Sequence, residues 1–308
     1  MKIVVTGGAG FIASHVVDAY IAGGHEVVVI DNLCSGQRRN LNPKASLHSM
    51  DILDPKIQGV IGEIRPDVLN HHAAQMDVRR SVADPVFDAR INVLGFLNLL
   101  EAGRAAGLKK VIFASSGGAI YGEQEKFPAP EDHPTRPASP YGVSKLTGEN
   151  YLAYYLATFG IPYVALRYAN VYGPRQNFRG EAGVIAIFID QLLSGNTPVI
   201  NGDGKQTRDF VYVADVAAAN MLALDSSFVG AINIGTGVET DLNTLYAKLA
   251  AGLGAKVAPI HGAAKEGEQR RSVLETSRAK KILGWAPKTS LDQGLAETIA
   301  YYRKAKAS

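Results

Sequence analysis

Apolar residues fall along this chain in short blocks that ignore the in-out alternation of a half-exposed strand. KIVVT, HEVVVID, DVLNHHAA, KKVIFASS and IPYVALRY are five such blocks, each rich in β-branched residues and apolar on both parities. That is the pattern of strands in a parallel sheet covered on both faces. Between them the apolar positions recur at helical spacing. The stretch from Val86 to Ala106 begins just after Pro85 and spaces Ile91, Leu94, Leu97 and Leu100 at threes, which predicts an amphipathic helix with proline at its start. The alternation as a whole predicts a doubly wound α/β fold around a parallel sheet.

After about Arg175 the rhythm changes. NFRGEAGVIAIFIDQLLSGNTPVINGDGKQTRDFVYV mixes a helix with glycine-rich turns, and Glu239 to Pro287 adds helices and the only tryptophan, Trp285. We therefore expect residues 1–176 to form the doubly wound domain, with 206–236 returning to it, and 177–308 to form mostly a smaller, interleaved α/β lobe. No internal repeat or low-complexity linker interrupts the chain.

Composition narrows the classes of function without choosing one. With 308 residues, 46% of them hydrophobic, the chain can bury a substantial core. Its 32 Lys and Arg against 29 Asp and Glu give a formal charge of +3, and the basic residues are scattered, so neither nucleic acid nor a membrane surface is expected as a partner. A single cysteine, Cys34, permits no internal disulfide. The first apolar run leads straight into glycines rather than a cleavage site, and no run approaches the ~18 apolar residues of a spanning helix. A cytoplasmic protein is the expectation. Of seven histidines only His71 and His72 are neighbours, and adjacent side chains of an extended segment point to opposite faces, so no metal site is expected.

The chemistry begins at VTGGAGFIASH, where Gly7, Gly10 and Ala13 follow the first strand and open a helix. Glycines there let the backbone approach a pyrophosphate, and the helix N-terminus offers free N–H donors. Asp31 ends the next strand; a carboxylate there suits a ribose 2′-hydroxyl and repels a 2′-phosphate, which favours NAD over NADP. Asp51 in MDILD is a candidate acceptor for the adenine amino group, or a turn residue. Further on, SPYGVSK sets Tyr141 and Lys145 one helical turn apart, with Ser139 as N-cap and Pro140 at the first helical position. A tyrosine acts as a base near neutrality only beside a cation that holds down its pKa. Spacing alone is weak evidence, since Tyr302 and Lys306 repeat it in what reads as a solvated helix end; only Tyr141 follows a glycine turn, an acidic residue and a serine-bearing strand in order.

TGGAGFIASH, Asp31, HAAQ, SS followed by YG, SPYGVSK, RYANVYGPR and GDGKQTRDFVYVADV occur in the order found in the extended short-chain dehydrogenase/reductases. The chain resembles their NAD-dependent epimerase/dehydratase family, and within it most closely the UDP-glucose (UDP-galactose) 4-epimerase branch, from residue 2 to about 300. The resemblance implies a Rossmann-like NAD-binding domain and a nucleotide-sugar-binding lobe. It implies that Phe11, Ile12, Asn32, Ser35, Gly36 and Ile52 join Gly7, Gly10, Asp31 and Asp51 in binding NAD, with His72, Ala73, Ala74, Gln75, Asn92 and Ser115. Tyr168 and Val171 would wall the nicotinamide. On the sugar side it implies Asn170 and Arg208 at the diphosphate, Val184, Val199, Asn201 and Gln206 around the nucleotide, and Arg270 as a second clamp, although the family's common Gly-Asp is Gly267-Glu268 here. The plainer alternative for Arg208 is a surface pair with Asp209. Ser272 matches a position whose size governs room for an N-acetyl group. Family members pair through the helix after Pro85 and the helix carrying Tyr141, so a homodimer is expected, with Phe87, Ile91, Phe96, Tyr151, Tyr154 and Tyr155 as its apolar residues.

In that family a serine or threonine at the end of the fourth strand relays the proton of the sugar 4-hydroxyl to the tyrosine. Counting forward along FASS gives Ser116, with Ser115 as the fallback, whereas counting back from Tyr121 reaches Gly117. Related dehydratases follow this hydroxyl with an Asp-Glu pair and decarboxylases with a Glu; here stand Gly117, Gly118 and Ala119, none of which titrates. The resemblance therefore implies 4-epimerisation of a UDP-hexose through a transient 4-keto sugar. Rival readings are a GDP- or dTDP-sugar epimerase or 4-ketoreductase, and a non-catalytic dinucleotide-binding sensor.

Overall fold

A computed structural model describes residues 1–177, 183–264 and 269–307. The first half alternates as β1 (Lys2–Thr6), α1 (Phe11–Ala22), β2 (Glu26–Asp31), β3 (Ser46–Ser49), α2 (Ile57–Ile64) and β4 (Val68–His71). Helices α3 (Val78–Ala83), α4 (Pro85–Ala89) and α5 (Gly95–Ala105) follow, then β5 (Lys110–Ser116), α6 (Pro140–Phe159) and β6 (Tyr163–Tyr168). The second half runs β7 (Asn170–Tyr172), α7 (Val184–Leu193), β8 (Val199–Asn201), β9 (Thr207–Tyr212), α8 (Val213–Asp225) and β10 (Gly230–Ile234). It ends with β11 (Glu239–Asp241), α9 (Leu242–Leu253), β12 (Ile260–Gly262), β13 (Arg271–Ser272), α10 (Ser277–Leu283) and α11 (Leu291–Ala307).

Seven parallel strands form the main sheet in the order β10-β6-β5-β4-β1-β2-β3. The five apolar blocks of the sequence are its central strands, and residues of both parities are buried: Ile3, Val4 and Val5 are all fully covered. One face packs on α1 and α8 through Val16, Tyr20, Val216 and Ala219, and the other on α2, α5 and α6 through Ile57, Phe96, Leu100 and Leu152. Strand order reverses between β1 and β4, where ligands of open α/β sheets bind, outside the carboxyl ends of the strands.

The long predicted helix is present but not uniform. Between α4 and α5, residues Arg90–Leu94 form a π turn, a wider coil that recurs at functional sites, and Asn92 lies inside it. Strand β9, within the segment expected to return to the large sheet, pairs instead with β7, β11 and β13 in a second sheet; α8 and β10 are what return. Trp285 buries against the same core as α1 and α8, its indole N–H donating to the Asp215 carbonyl (2.8 Å). The reading of Tyr302 as part of a solvated end is corrected: α11 lays its apolar stripe on α7 and α9, so Tyr302 is 7% exposed and donates to the Gln176 carbonyl.

Candidate active site

The glycine turn is shaped by what a side chain would hit. Gly7 has φ +69°, and a Cβ there would lie 2.8 Å from the Ala73 nitrogen in the segment leaving β4; both the left-handed backbone and the close crossing require glycine. Its N–H donates to Ile30 (2.8 Å), and Gly10 N–H donates back to Gly7 (2.9 Å) before capping α1. Ala13 at the third position is 2% exposed, its methyl filling the helix-sheet contact. Asp31 stitches this turn to the next loop: Oδ2 accepts from Ala9 N (2.9 Å) and Oδ1 from Leu33 N (2.7 Å). Gly36 packs on the same carboxylate. Asp51 accepts from Asn32 Nδ2 (2.8 Å) and from Leu53 N (2.8 Å), so it is both a turn residue and a neighbour of the Asp31–Asn32 strand end.

Beside the turn, His72 supplies a test of whether the cradle fits a dinucleotide. Asn220 Nδ2 donates to Tyr168 Oη (2.8 Å), which lies 3.3 Å from His72 Nε2. With an oxygen lone pair of Tyr168 taken by Asn220, the phenol proton points at Nε2, which leaves the ring N–H on Nδ1. Burial first, and the charge of Lys145 second, hold the His72 pKa down to about 3, so the ring is neutral. Nδ1 is buried with no partner among the described residues. An unanswered donor one residue before the Ala73 that crosses Gly7 suits an acceptor-rich ligand such as NAD. Gln75 and Asn92 brace this wall, Gln75 N donating to Asn92 Oδ1 (2.8 Å) and Asn92 Nδ2 to Gln75 O (2.8 Å).

Across the sheet end, Ser139 caps α6 by accepting from Gly142 N (3.2 Å), and Pro140 occupies the first turn. Tyr141 and Lys145 then share one face. Gly142 lets this helix start press onto the loop after β5, since a Cβ would come within 2.6 Å of the Ala119 carbonyl. Lys145 is 4% exposed, donates to the Ala114 carbonyl (2.7 Å) and lies 5.8 Å from the centre of the Tyr141 ring. Burial draws its pKa down to about 8 against the opposing pull of Asp88 and Glu149.

The two serines of FASS part company. Ser115 is buried and donates to Glu149 Oε1 (2.5 Å), which also accepts from Arg167. Ser116 is half-buried, and its Oγ lies 4.0 Å from where a Cβ on Gly118 would stand. That same position is 3.8 Å from Asn170 Oδ1 and otherwise open, whereas a Cβ on Gly117 would strike Leu274 at 2.5 Å. Gly118 therefore borders open space between Ser116 and the exposed Asn170, and no titratable group stands in the loop from 117 to 119. Glu123 is exposed.

On β9, Arg208 pairs in register with Thr240 of β11 and Ser272 of β13, which sets the small buried serine beside the guanidinium-bearing residue. Its Nη1 donates to the Thr207 carbonyl (2.8 Å). The surface-pair alternative for Arg208 is corrected: Asp209 is 1% exposed and accepts from Thr236 N and Oγ1, Gly237 N and Leu274 N. Arg270 is exposed and forks onto Asp203 (2.8 and 2.9 Å); Gly267-Glu268 lies outside the described residues. Gln206 Nε2 donates to the Asn201 carbonyl (2.9 Å), its buried Oε1 has no partner among the described residues, and Val199 on β8 is exposed. Val184 opens α7. Among the described residues no group of His, Cys, Asp and Glu can hold a metal ion, and no helix is long and apolar enough to cross a membrane.

Beyond the fold and this geometry stand the relatives. The profile of the NAD dependent epimerase/dehydratase family matches residues 3–235. The chain belongs to that family. An epimerase-family relative, the UDP-glucose 4-epimerase of Mycolicibacterium smegmatis, is 44% identical over 98% of this chain and 99% of its own. The crystal structure of UDP-glucose 4-epimerase with UDP-glucose from Thermotoga maritima superposes with a TM-score of 0.98 at 46% identity, covering 99% of this chain and 100% of that one. The UDP-N-acetylglucosamine 4-epimerase of Methanobrevibacter ruminantium, in complex with UDP-N-acetylmuramic acid, superposes with a TM-score of 0.94 at 36% identity over 99% and 98% of the two chains.

Sequence reasoning missed several residues of this epimerase site. Glu149 continues the Tyr141–Lys145 face at the same four-residue step, a signal that was present in the sequence, and Asp88 stands four before Asn92. Arg167 and Asn220 carry no local signal, because their partners lie far along the chain.

Proposed function

We propose that this chain interconverts UDP-galactose and UDP-glucose by NAD-dependent epimerisation at C4, with Tyr141 as the base, Lys145 as its cationic support and Ser116 as the proton relay. The observation that carries the reading is a Tyr141–Lys145 pair facing a strand end whose following loop, Gly117 to Ala119, has no acid or base. Inversion at C4 needs one proton removed from and returned to one hydroxyl, which one tyrosine accomplishes; elimination or decarboxylation needs a further titrating group. NAD, when bound, supplies a hydride acceptor and donor. The chain's own residues do the rest: Tyr141 takes and returns the hydroxyl proton, Lys145 holds positive charge beside the phenol, and Arg208 and Asn170 anchor the diphosphate so that the sugar alone turns.

A second substrate pair is favoured by one feature. Ser272 is small and sits beside Arg208, which supports room for an N-acetyl group at C2. Incubating the purified protein without added cofactor, separately with UDP-galactose and UDP-N-acetylgalactosamine, and separating products by chromatography tests both claims. Conversion of the first establishes the reaction and retained cofactor; turnover of the non-acetylated pair alone removes the Ser272 argument; no conversion even with NAD supplied refutes the reading.

The partner of the chain is a second copy of itself. Val82 (62% exposed), Val86 (76%), Leu94 (56%), Val143 (51%) and Tyr154 (52%) leave a set of apolar side chains uncovered on the helices that flank Tyr141, and such a set marks a protein contact. Phe96 and Tyr155, expected there, are instead core residues, at 0% and 3% exposure. Sedimentation equilibrium is expected to return a dimer for the natural chain and a monomer for Val86→Glu combined with Tyr154→Glu; a monomeric natural chain refutes it.

A further inference from the structure

Asp88 is a fully buried carboxylate behind the site, at 0% exposure, with no part in the chemistry so far. Oδ1 accepts from Gln75 Nε2 (3.1 Å) and Asn92 Nδ2 (3.0 Å), and Oδ2 accepts from Ser144 Oγ (2.6 Å). These donors come from the segment leaving β4, from the π turn and from α6, the last from the residue next to Lys145. All three are neutral. They stabilise the charge without cancelling it, and a buried charge left uncancelled acts at longer range than one in water.

The titratable groups around Lys145 decide what that charge does. Glu149, on the same helix, is already engaged by the Nε–Nη2 edge of the Arg167 guanidinium (3.0, 3.3 and 2.7 Å), so its charge is compensated. His71 and His72, from the end of β4, are kept neutral by burial and by Lys145 itself. Tyr141 faces it from one turn away, and from β5 the Ala114 carbonyl and the Phe113 ring, neither of them titratable, reach it. Among the described residues Asp88 makes no salt bridge with an arginine as Glu149 does, which leaves its carboxylate to face Lys145.

We propose that Asp88 is the buried counter-charge that keeps Lys145 protonated at working pH, and thereby a positioning residue for the Tyr141–Lys145 pair. This rests on the reading of Tyr141 as the base. In support, Asp88 and Lys145 are both buried, and the Ser144 hydroxyl that binds Asp88 belongs to the residue beside Lys145 on α6.

The test is the pH dependence of UDP-galactose conversion by the natural enzyme, by Asp88→Asn and by Tyr141→Phe, with bound NAD per subunit measured in each. Asparagine keeps the hydrogen bonds, its Oδ1 accepting and its Nδ2 donating to Ser144 Oγ, while removing the charge. Burial lowers the Lys145 pKa to about 8, so the alkaline limb of the natural enzyme is expected near that pH. Asp88→Asn is expected to move the alkaline limb down by about one unit, so that the rate near that pH falls about fivefold while the rate at about pH 6 and the bound NAD hold. A uniform fall at every pH, with the limb in place, makes Asp88 a structural tie only and overturns the proposal. An active Tyr141→Phe overturns instead the reading beneath it. Should Asp88→Asn not fold, Lys145→Arg asks the same question: a permanently charged residue is expected to erase the alkaline limb, and a limb that persists overturns the proposal.

Discussion

Replacing Tyr141 with phenylalanine is expected to lower kcat by about 10³-fold or more, the loss of a positioned acid-base group, while bound NAD and thermal stability stay as they were. The helix start is fixed by Ser139, Pro140 and the contact of Gly142 with Ala119, and the Tyr141 backbone N–H is held by Ser81 Oγ (3.3 Å), all of which survive the change. A rate loss confined to kcat identifies a group used in the reaction and not in binding. Steady-state kinetics with UDP-galactose, together with the absorbance of released cofactor, checks it. Retained turnover removes Tyr141 from the reaction.

The second large effect is on stability. Glu149→Gln is expected to destabilise the protein by about 3–5 kcal/mol, because Arg167 would keep its charge in the core with nothing to answer it. Both side chains are only 8% exposed in the pair. Arg167 also donates to Tyr121 Oη (2.9 Å) and the Glu131 carbonyl (3.0 Å), and Tyr121 passes its own proton to Asn233 Oδ1 (2.7 Å). The network thus ties α6 to β6, β10 and the segment leading to α6, and it fixes Ser115 beside the reacting serine. Denaturant unfolding measures the loss, and adding Arg167→Met to Glu149→Gln is expected to restore part of it, since two neutral partners leave no stranded charge. A loss under about 1 kcal/mol for the single change would show that the pair is solvated like a surface bridge.

How much of this was legible beforehand follows from the range of each signal. Strands covered on both faces announce themselves as unbroken apolar blocks, so the central strands were readable from KIVVT to IPYVALRY. The helix behind Pro85 was readable for the same reason, but its π turn was not: the widened coil at Asn92 follows side-chain ties to Gln75 and Asp88, not the apolar period. Strand β13 is two residues long and exists only because β9 lies beside it. Glycines read alike in a sequence, yet Gly117 is wedged against Leu274 while Gly118 opens onto the site. Buried charges were the hardest. Glu149 and Asp88 occur inside helical patterns where a carboxylate reads as solvated, and Arg167 sits in an apolar strand; only the folded chain shows that Glu149 meets Arg167 and that Asp88 meets Ser144, the neighbour of Lys145. Tyr302 failed in reverse, reading as a solvated residue because α9 and α7, which cover it, are remote in sequence.

The central claim is that one hydrogen leaves C4 and returns to the same carbon on the opposite face, with one tyrosine serving the hydroxyl. UDP-galactose carrying deuterium at C4, incubated with the purified protein and no added cofactor, tests it directly by mass spectrometry and proton NMR of the product. The account predicts UDP-glucose that retains deuterium at C4 and gains none from deuterated solvent in the converse experiment. Loss of the label to water, or a requirement for reduced cofactor in proportion to product, would contradict it.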